Sequence, residues 1–209
     1  MAPPNDLSIR NLNGTWVLDK TRSTDLDALF KLQGVGWIAR KAIAAGIPSL
    51  KITQGSDTGS SAPSEWMLFE PALGGMLKAA PDKRSMTWTD SEYNDNLFGR
   101  LVIRGHYISG EKMADGRVRP LVEIETKDIE PDAEGILTEA IEIAMDNTDQ
   151  EGTIEKAFIH DFARNVDAGW TAEQIWAVEI VDGEKMLTRR VVVKSGSSTE
   201  LARVFYTYQ

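Results

Sequence analysis

Two histidines, His106 and His160, are the only imidazoles in the chain, and they set a low ceiling on its acid–base and metal chemistry. No H-x-H or H-x-x-x-H spacing surrounds them, so neither a zinc nor an iron centre is expected. Either ring could still move a proton near neutral pH. His160 shares a strand face with Phe158 and Phe162, which suits a packed imidazole better than a catalytic one. His106 follows Arg100, Val102 and Arg104 at two-residue spacing. Turned inward, that face would orient an amphiphilic ligand. Turned outward, it is a solvated stripe with Leu101 and Ile103 inside, and this second reading fits slightly better. Trp16, Trp66, Trp88 and Trp176 each sit in a strand-like run. They read either as core packing or as the flat lining of a pocket for rings.

Several chemistries lose their support. The chain has no cysteine, so thiolate nucleophiles and disulfides are excluded. It carries no G-x-S-x-G, no Walker loop and no G-x-G-x-x-G after a strand, which weighs against hydrolase, kinase and dehydrogenase readings. No cofactor is expected.

The elements that must position these residues are mostly strands. The segment Asn13 to Asp19 alternates Trp16 and Leu18 with Thr15 and Val17. Ser23-Thr24-Asp25 then offers an N-cap to a short helix, and Gly34 and Gly36 separate it from a second over Trp37–Ala45. Period-two runs follow at 50–54, 65–69, 86–89, 97–108, 118–126, 154–164, 173–181, 185–194 and 201–208. Turn signals separate them: a Gly/Ser-rich loop at 55–62, Gly74-Gly75, Asp115-Gly116, Asp182-Gly183 and Gly196-Ser197. Residues 131–147 break the pattern. Ile136, Leu137, Ala140, Ile141, Ile143 and Ala144 recur at helical spacing, predicting one inserted amphipathic helix over the barrel or its mouth. About ten strands with short connections predict a mainly β fold, a closed antiparallel up-and-down barrel. Residues 1–209 read as one domain, with 1–10 as a flexible leader.

Composition agrees with a packed core, at 42% hydrophobic and 26% charged residues. The formal net charge of −9 makes nucleic acid a poor partner. No apolar stretch is long enough to span a bilayer, and the first residues lack the basic and apolar regions of a signal peptide. With no cysteine besides, the cytoplasm is the expected setting. The oligomeric state is not legible.

Gly14-Thr15-Trp16-Val17-Leu18, then Gly34-Val35-Gly36-Trp37, Arg40-Lys41 and Pro48-Ser49-Leu50-Lys51-Ile52 together resemble the opening of the fatty-acid-binding proteins, a branch of the lipocalin-like (calycin) barrels. Asp182-Gly183-Glu184 and Ala202-Arg203-Val204-Phe205 are similar to that family's closing hairpin and its Arg-x-Tyr ending. The resemblance implies an enlarged relative with a helix-turn-helix lid. It also implies that Arg203, beside Phe205, reaches a ligand's carboxylate from inside the barrel. Phe205 lacks the expected hydroxyl, and Tyr206 should face the other way. Arg203 could equally form an internal salt bridge to Glu65, Glu125 or Glu179, or lie exposed.

Two functions follow. One is the binding of a hydrophobic, ring-containing or weakly acidic small molecule, with Arg203, Phe205, Trp66, Trp88, Arg104, His106 and Trp176 as its contacts. The other is a cofactor-independent cyclase or Diels–Alderase-like enzyme of a secondary-metabolite pathway. It would work by confinement and hydrogen bonding, with His106, His160 and Arg203 as candidate catalytic groups.

Overall fold

A computed structural model describes residue 4 and residues 6–57, 64–73, 80–146 and 148–209. The chain runs β1 (Gly14–Leu18), α1 (Asp27–Leu32), α2 (Trp37–Ala45), β2 (Ser49–Asp57), β3 (Ser64–Ala72), β4 (Asp82–Ser85), β5 (Ser91–Asp95) and β6 (Gly99–Ile108). It continues through β7 (Gly110–Lys112), β8 (Val118–Pro120), α3 (Pro131–Leu137) and α4 (Gln150–Glu155). It ends with β9 (Phe158–Asn165), β10 (Thr171–Val181), β11 (Glu184–Ser195) and β12 (Ser198–Tyr208).

Ten strands form one antiparallel sheet in the order β4-β3-β2-β1-β12-β11-β10-β9-β6-β5. The chain ends meet as neighbours, Trp16 opposite Tyr208 and Leu18 opposite Tyr206. The seam between the edge strands is bridged where the Met86 N–H donates to the Glu65 carbonyl at 2.8 Å and the Trp88 N–H to the Gly105 carbonyl at 3.1 Å. Thr87 pairs with His106 between them. The expected barrel is therefore present and nearly closed. Both residues of the Asp182-Gly183 hairpin have positive φ, 51° and 81°, the left-handed pair that a two-residue turn demands.

The two ends differ. Helices α1 and α2 lie between β1 and β2, as the lid reading predicts. The other end is plugged by Leu7, Ile9 and Leu12, all nearly inaccessible. The Gln54 side chain donates to the Ile9 carbonyl at 3.0 Å and holds this segment down. Residues 7–9 of the expected flexible leader are thus buried, while Arg10 stays exposed, because the apolar side chains of Leu7, Ile9 and Leu12 repay their ordering. Residues 1–3 and 5, most of the loop at 55–62, Gly74-Gly75 and Asn147 lie outside the described residues.

The middle of the chain departs from the expected pattern. The 131–147 helix stops at Leu137, where Gly135 weakens it and the Thr138 hydroxyl bonds back to the Glu134 carbonyl at 3.0 Å. Ile141 and Ile143 then bury on one side of an extended segment, bridging Val118 and Glu179. The Ala144 N–H donates to the Val178 carbonyl at 2.8 Å, so the segment pairs with the part of β10 that β9 leaves free. The expected strand at 118–126 ends at Pro120, which has no N–H to continue a ladder. The strand expected over 154–164 begins only at Phe158, because Asp149 caps α4 by accepting from the Gly152 N–H at 3.0 Å.

The inserted segment builds a second core on the outer wall. Ala133, Leu137, Ile141 and Ile143 pack with Phe158, Ile175, Ala177 and Val192 from the outward faces of β9, β10 and β11. Leu137 is fully buried there. Leu137→Ala should cost about 2–5 kcal/mol of unfolding free energy in urea titration. A loss below about 1 kcal/mol would mean that the outer core contributes little to the fold.

Candidate functional site

Alternation sorts every strand into an inward and an outward half. The inward set includes Leu18, Leu50, Phe69, Leu101, Ile103, Ala163, Ala172, Trp176, Val191 and Val204, which enclose a cavity of about 250 Å³ beneath the lid. Leu26, Leu29 and Phe30 roof it from α1 and the residue before it. A second pocket, sharing Leu18, Leu26, Phe30, Ile43 and Pro48, lies between the lid and the barrel rim.

A polar belt crosses this apolar interior. On β11, Arg189 donates through Nε to the Gln174 side-chain carbonyl at 3.0 Å and through Nη1 to the Tyr206 hydroxyl oxygen at 2.9 Å. Its guanidinium lies 4.2 Å from the Trp176 ring centroid, a cation–π contact of about 0.5–2 kcal/mol. Among the described residues no carboxylate pairs with Arg189. Further along, Arg84 pairs with Asp82 and approaches Asp161 at 3.2 Å. Burial pushes the Asp82 carboxyl up against the pull of Arg84, and Asp161 and Asp95 add to the rise. Tyr93 donates to Asp95 at 3.2 Å, and burial with that carboxylate's charge raises its hydroxyl well above the usual range. The indole N–H groups of Trp170 and Trp176, both rings of the cavity wall, have no hydrogen-bond partner among the described residues.

Several expected site residues face away. The geometry reverses the parity assumed for the last strand: Ala202, Val204 and Tyr206 turn inward, whereas Arg203 and Phe205 turn outward. Arg203 is half exposed and pairs with Glu139 at 2.7 Å, and Glu139 also binds the buried Arg190 at 3.2 Å. Arg203 therefore holds the inserted segment against the wall, with a partner different from any of the three expected. Trp66 lies outside, its N–H donating to Asp57 at 3.1 Å with Lys83 over its ring. Arg104 is outside too, pairing with Glu125 at 2.8 Å, as the solvated-stripe reading has it. Of the expected ligand contacts, Trp176 lines the cavity.

His106, His160 and Trp88 meet on the outer wall. His106 Nε2 lies 3.3 Å from His160 Nδ1, and His160 Nε2 lies 2.8 Å from the buried Glu173. The Trp88 ring stacks on His106 at 4.2 Å, from a backbone φ of 58°. This cluster clamps the residues that bridge the barrel seam and, on the outer face of the wall, does not line the cavity. Arg189, Tyr206, Gln174, Arg84 and Asp161 were not singled out by sequence reasoning. The run Ala202, Val204, Tyr206, Tyr208, free of charge, was the available signal for the inward face of β12.

Strand order, lid and belt define a nearly closed antiparallel barrel of ten strands with a polar band across an apolar chamber. No family model matches the chain. Over nearly its whole length it is similar to two curated proteins. One is the probable pericyclase scpY of Mollisia scopiformis, 20% identical over 207 residues, 99% of this chain and 94% of that protein. The other is pericyclase pydY of Acremonium sp, 20% identical over 208 residues, 100% of this chain and 97% of that protein. Among solved structures, the Schistosoma mansoni fatty acid binding protein in complex with arachidonic acid aligns over 94% of this chain and 95% of its own, with 18% identity and a TM-score of 0.41.

The histidine cluster carries a pH prediction. Burial and the neighbouring His160 hold the His106 pKa below its usual value of 6.5 against an opposing pull from Asp161, and Arg104 adds a smaller push downward. The fold favours neutral His106, so stability should fall as pH drops through about 6.5, where the unfolded chain takes a proton that the folded one refuses. Burial alone would raise Glu173. Bonds from His160 and from the Glu125 and Thr126 N–H groups nevertheless hold it low, a contribution lost only at more acidic pH. Unfolding free energy measured from pH 7.5 to 5 should slope less steeply in His106→Gln than in the wild type. Equal slopes would contradict this assignment.

Proposed function

We propose that the chain is a cofactor-free cyclase of the pericyclase kind. It takes a long, unsaturated, apolar molecule into the barrel, holds it folded, and polarises one of its carbonyl groups. The observation that carries this reading is the Arg189–Tyr206 pair, whose donors line the cavity and which no carboxylate pairs with among the described residues. The full-length similarity to two proteins named as pericyclases supports it.

Such a reaction makes and breaks bonds in a concerted cycle, so it needs no nucleophile and no resident acid or base. Holding the two reacting ends together can contribute about 7–11 kcal/mol of barrier lowering, as in well-oriented intramolecular reactions. Donors fixed on a carbonyl oxygen draw electrons from the attached double bond, and a dry pocket strengthens that effect. The stack of Arg189 on Trp176 and its bond to Gln174 keep the guanidinium in place without consuming every donor. Leu7, Ile9 and Leu12 plug one end, and Leu26, Leu29 and Phe30 partly roof the cavity at the other.

The lid and the enclosed cavity also favour a second reading, carriage of the same kind of ligand without turnover. In either case residues 1–209 act as one domain, the guest is a hydrophobic small molecule, and the cytoplasm is the proposed setting. Among the described residues no helix is long and apolar enough to cross a membrane.

Incubation with a synthetic linear chain carrying a conjugated diene and an enone, followed by chromatography, separates the two. The cyclase reading predicts a cyclised product formed at least about tenfold faster than in buffer. It also predicts a rate about 10²–10³-fold lower in Tyr206→Phe with Arg189→Met, from loss of the donors. Binding of the chain with its release unchanged would leave only the carrier.

A further inference from the structure

The belt holds one group that neither the fold nor the polarisation of a carbonyl uses. Asp161 stands on β9 with its side chain 3% exposed, in the wall of the cavity. Neither of its carboxylate oxygens has a hydrogen-bond partner among the described residues; Arg84 approaches to 3.2 Å but is not aligned to donate. Its neighbours are satisfied. Asp82 is bonded to Arg84. Asp95 accepts from the Tyr93 hydroxyl at 3.2 Å and from the Leu97 and Phe98 N–H groups at 2.7 and 2.9 Å. Arg84 thus serves Asp82 by hydrogen bond and Asp161 only as an ion pair, and Asp161 is the one carboxylate of the three left without a hydrogen bond.

A buried carboxylate that accepts nothing is costly, so the position calls for a donor from elsewhere. The strand opposite leaves the carboxylate its place in the wall. Gly105 is the direct partner of Asp161 across β6 and β9, and a Cβ there would lie 2.4 Å from the Asp161 Oδ1. On the other side Asp161 faces Gln174 in register, and Gln174 is bonded to Arg189. The inner wall therefore reads, strand by strand, acceptor at Asp161, amide at Gln174, donors at Arg189 and Tyr206. Adjacent strands are about 4.8 Å apart, so Asp161 on β9 and Arg189 on β11 are roughly 10 Å apart across the sheet at the backbone, with Tyr206 one strand further. Gln174, opposite Asp161 and bonded to Arg189, joins the two poles on one wall of the cavity.

We propose that the guest carries an N–H or O–H donor beside its carbonyl, as in an amide or lactam head, and that Asp161 accepts that donor while Arg189 and Tyr206 hold the carbonyl oxygen. This deepens the reading of the cavity as the binding site and rests on it. A bare carboxylate head suits the belt poorly, because it would set one anion against another at Asp161. Two contacts on one head also fix its direction along the barrel, which one oxygen alone would not.

Displacement of the neutral dye Nile red by three compounds with one tail tests this: oleamide, methyl oleate and oleate. In the wild type oleamide should compete at least tenfold more tightly than methyl oleate. In Asp161→Leu that advantage should shrink below threefold and oleate should tighten, since the repelling charge is gone. The wild-type comparison stands even if the variant fails to fold. Equal competition by oleamide and methyl oleate overturns the inference and leaves the cavity reading intact. Should none of the three displace the dye, the cavity reading falls together with the inference.

Discussion

A guanidinium inside the barrel, paired with no carboxylate among the described residues, is the constraint on which the remaining features depend. Burying a cation is costly unless it is bonded and shielded. Arg189 meets that cost with a tryptophan face, an amide oxygen and a tyrosine hydroxyl, each supplied by β10 or β12, the strands flanking its own. None of these partners cancels its charge. The chamber therefore keeps a directed positive field at one wall, and the leftover acceptor at Asp161 gives it an opposite pole. An apolar guest gains from the walls, and its polar head gains only in one orientation.

The outer wall follows the same logic with the opposite result. Arg190, one residue on, turns outward and is neutralised by Glu139 and Glu179 at 3.2 and 3.0 Å. Arg203 joins it through Glu139. Those pairs, together with the apolar set around Leu137, fasten residues 110–156 to the outside of the barrel. The extra length of the chain thus thickens one side of the wall and leaves the chamber's lining to the strands. Neighbouring arginines on one strand do different work because alternation sends them to different solvents.

The lid, the hairpin at Asp182-Gly183 and the meeting of the chain ends were legible in the sequence, since each depends on local turn chemistry or on short apolar alternation. The inward parity of β11 was not. Leu187, Val191 and Val193 face the chamber and Val192 faces the second core, so both sides of that strand are apolar and alternation carries no contrast. The same holds for β9, where Phe158 lies outside and Ile159 inside. Arg203 matched an Arg-x-Tyr ending by spacing, yet the hydroxyl that enters the barrel belongs to Tyr206 and its arginine comes from the adjacent strand. The helical period at 141–145 was real in the residues and overridden by pairing with β10, a contact that no local pattern encodes.

Everything functional rests on Arg189, and not Arg203, reaching the chamber. Titration with cis-parinaric acid, whose polyene fluoresces when bound in a dry pocket, tests this directly. The account predicts that Arg189→Met changes the dissociation constant at least tenfold, whereas Arg203→Met leaves it within about twofold. A tenfold change in Arg203→Met with none in Arg189→Met would contradict the account at its base.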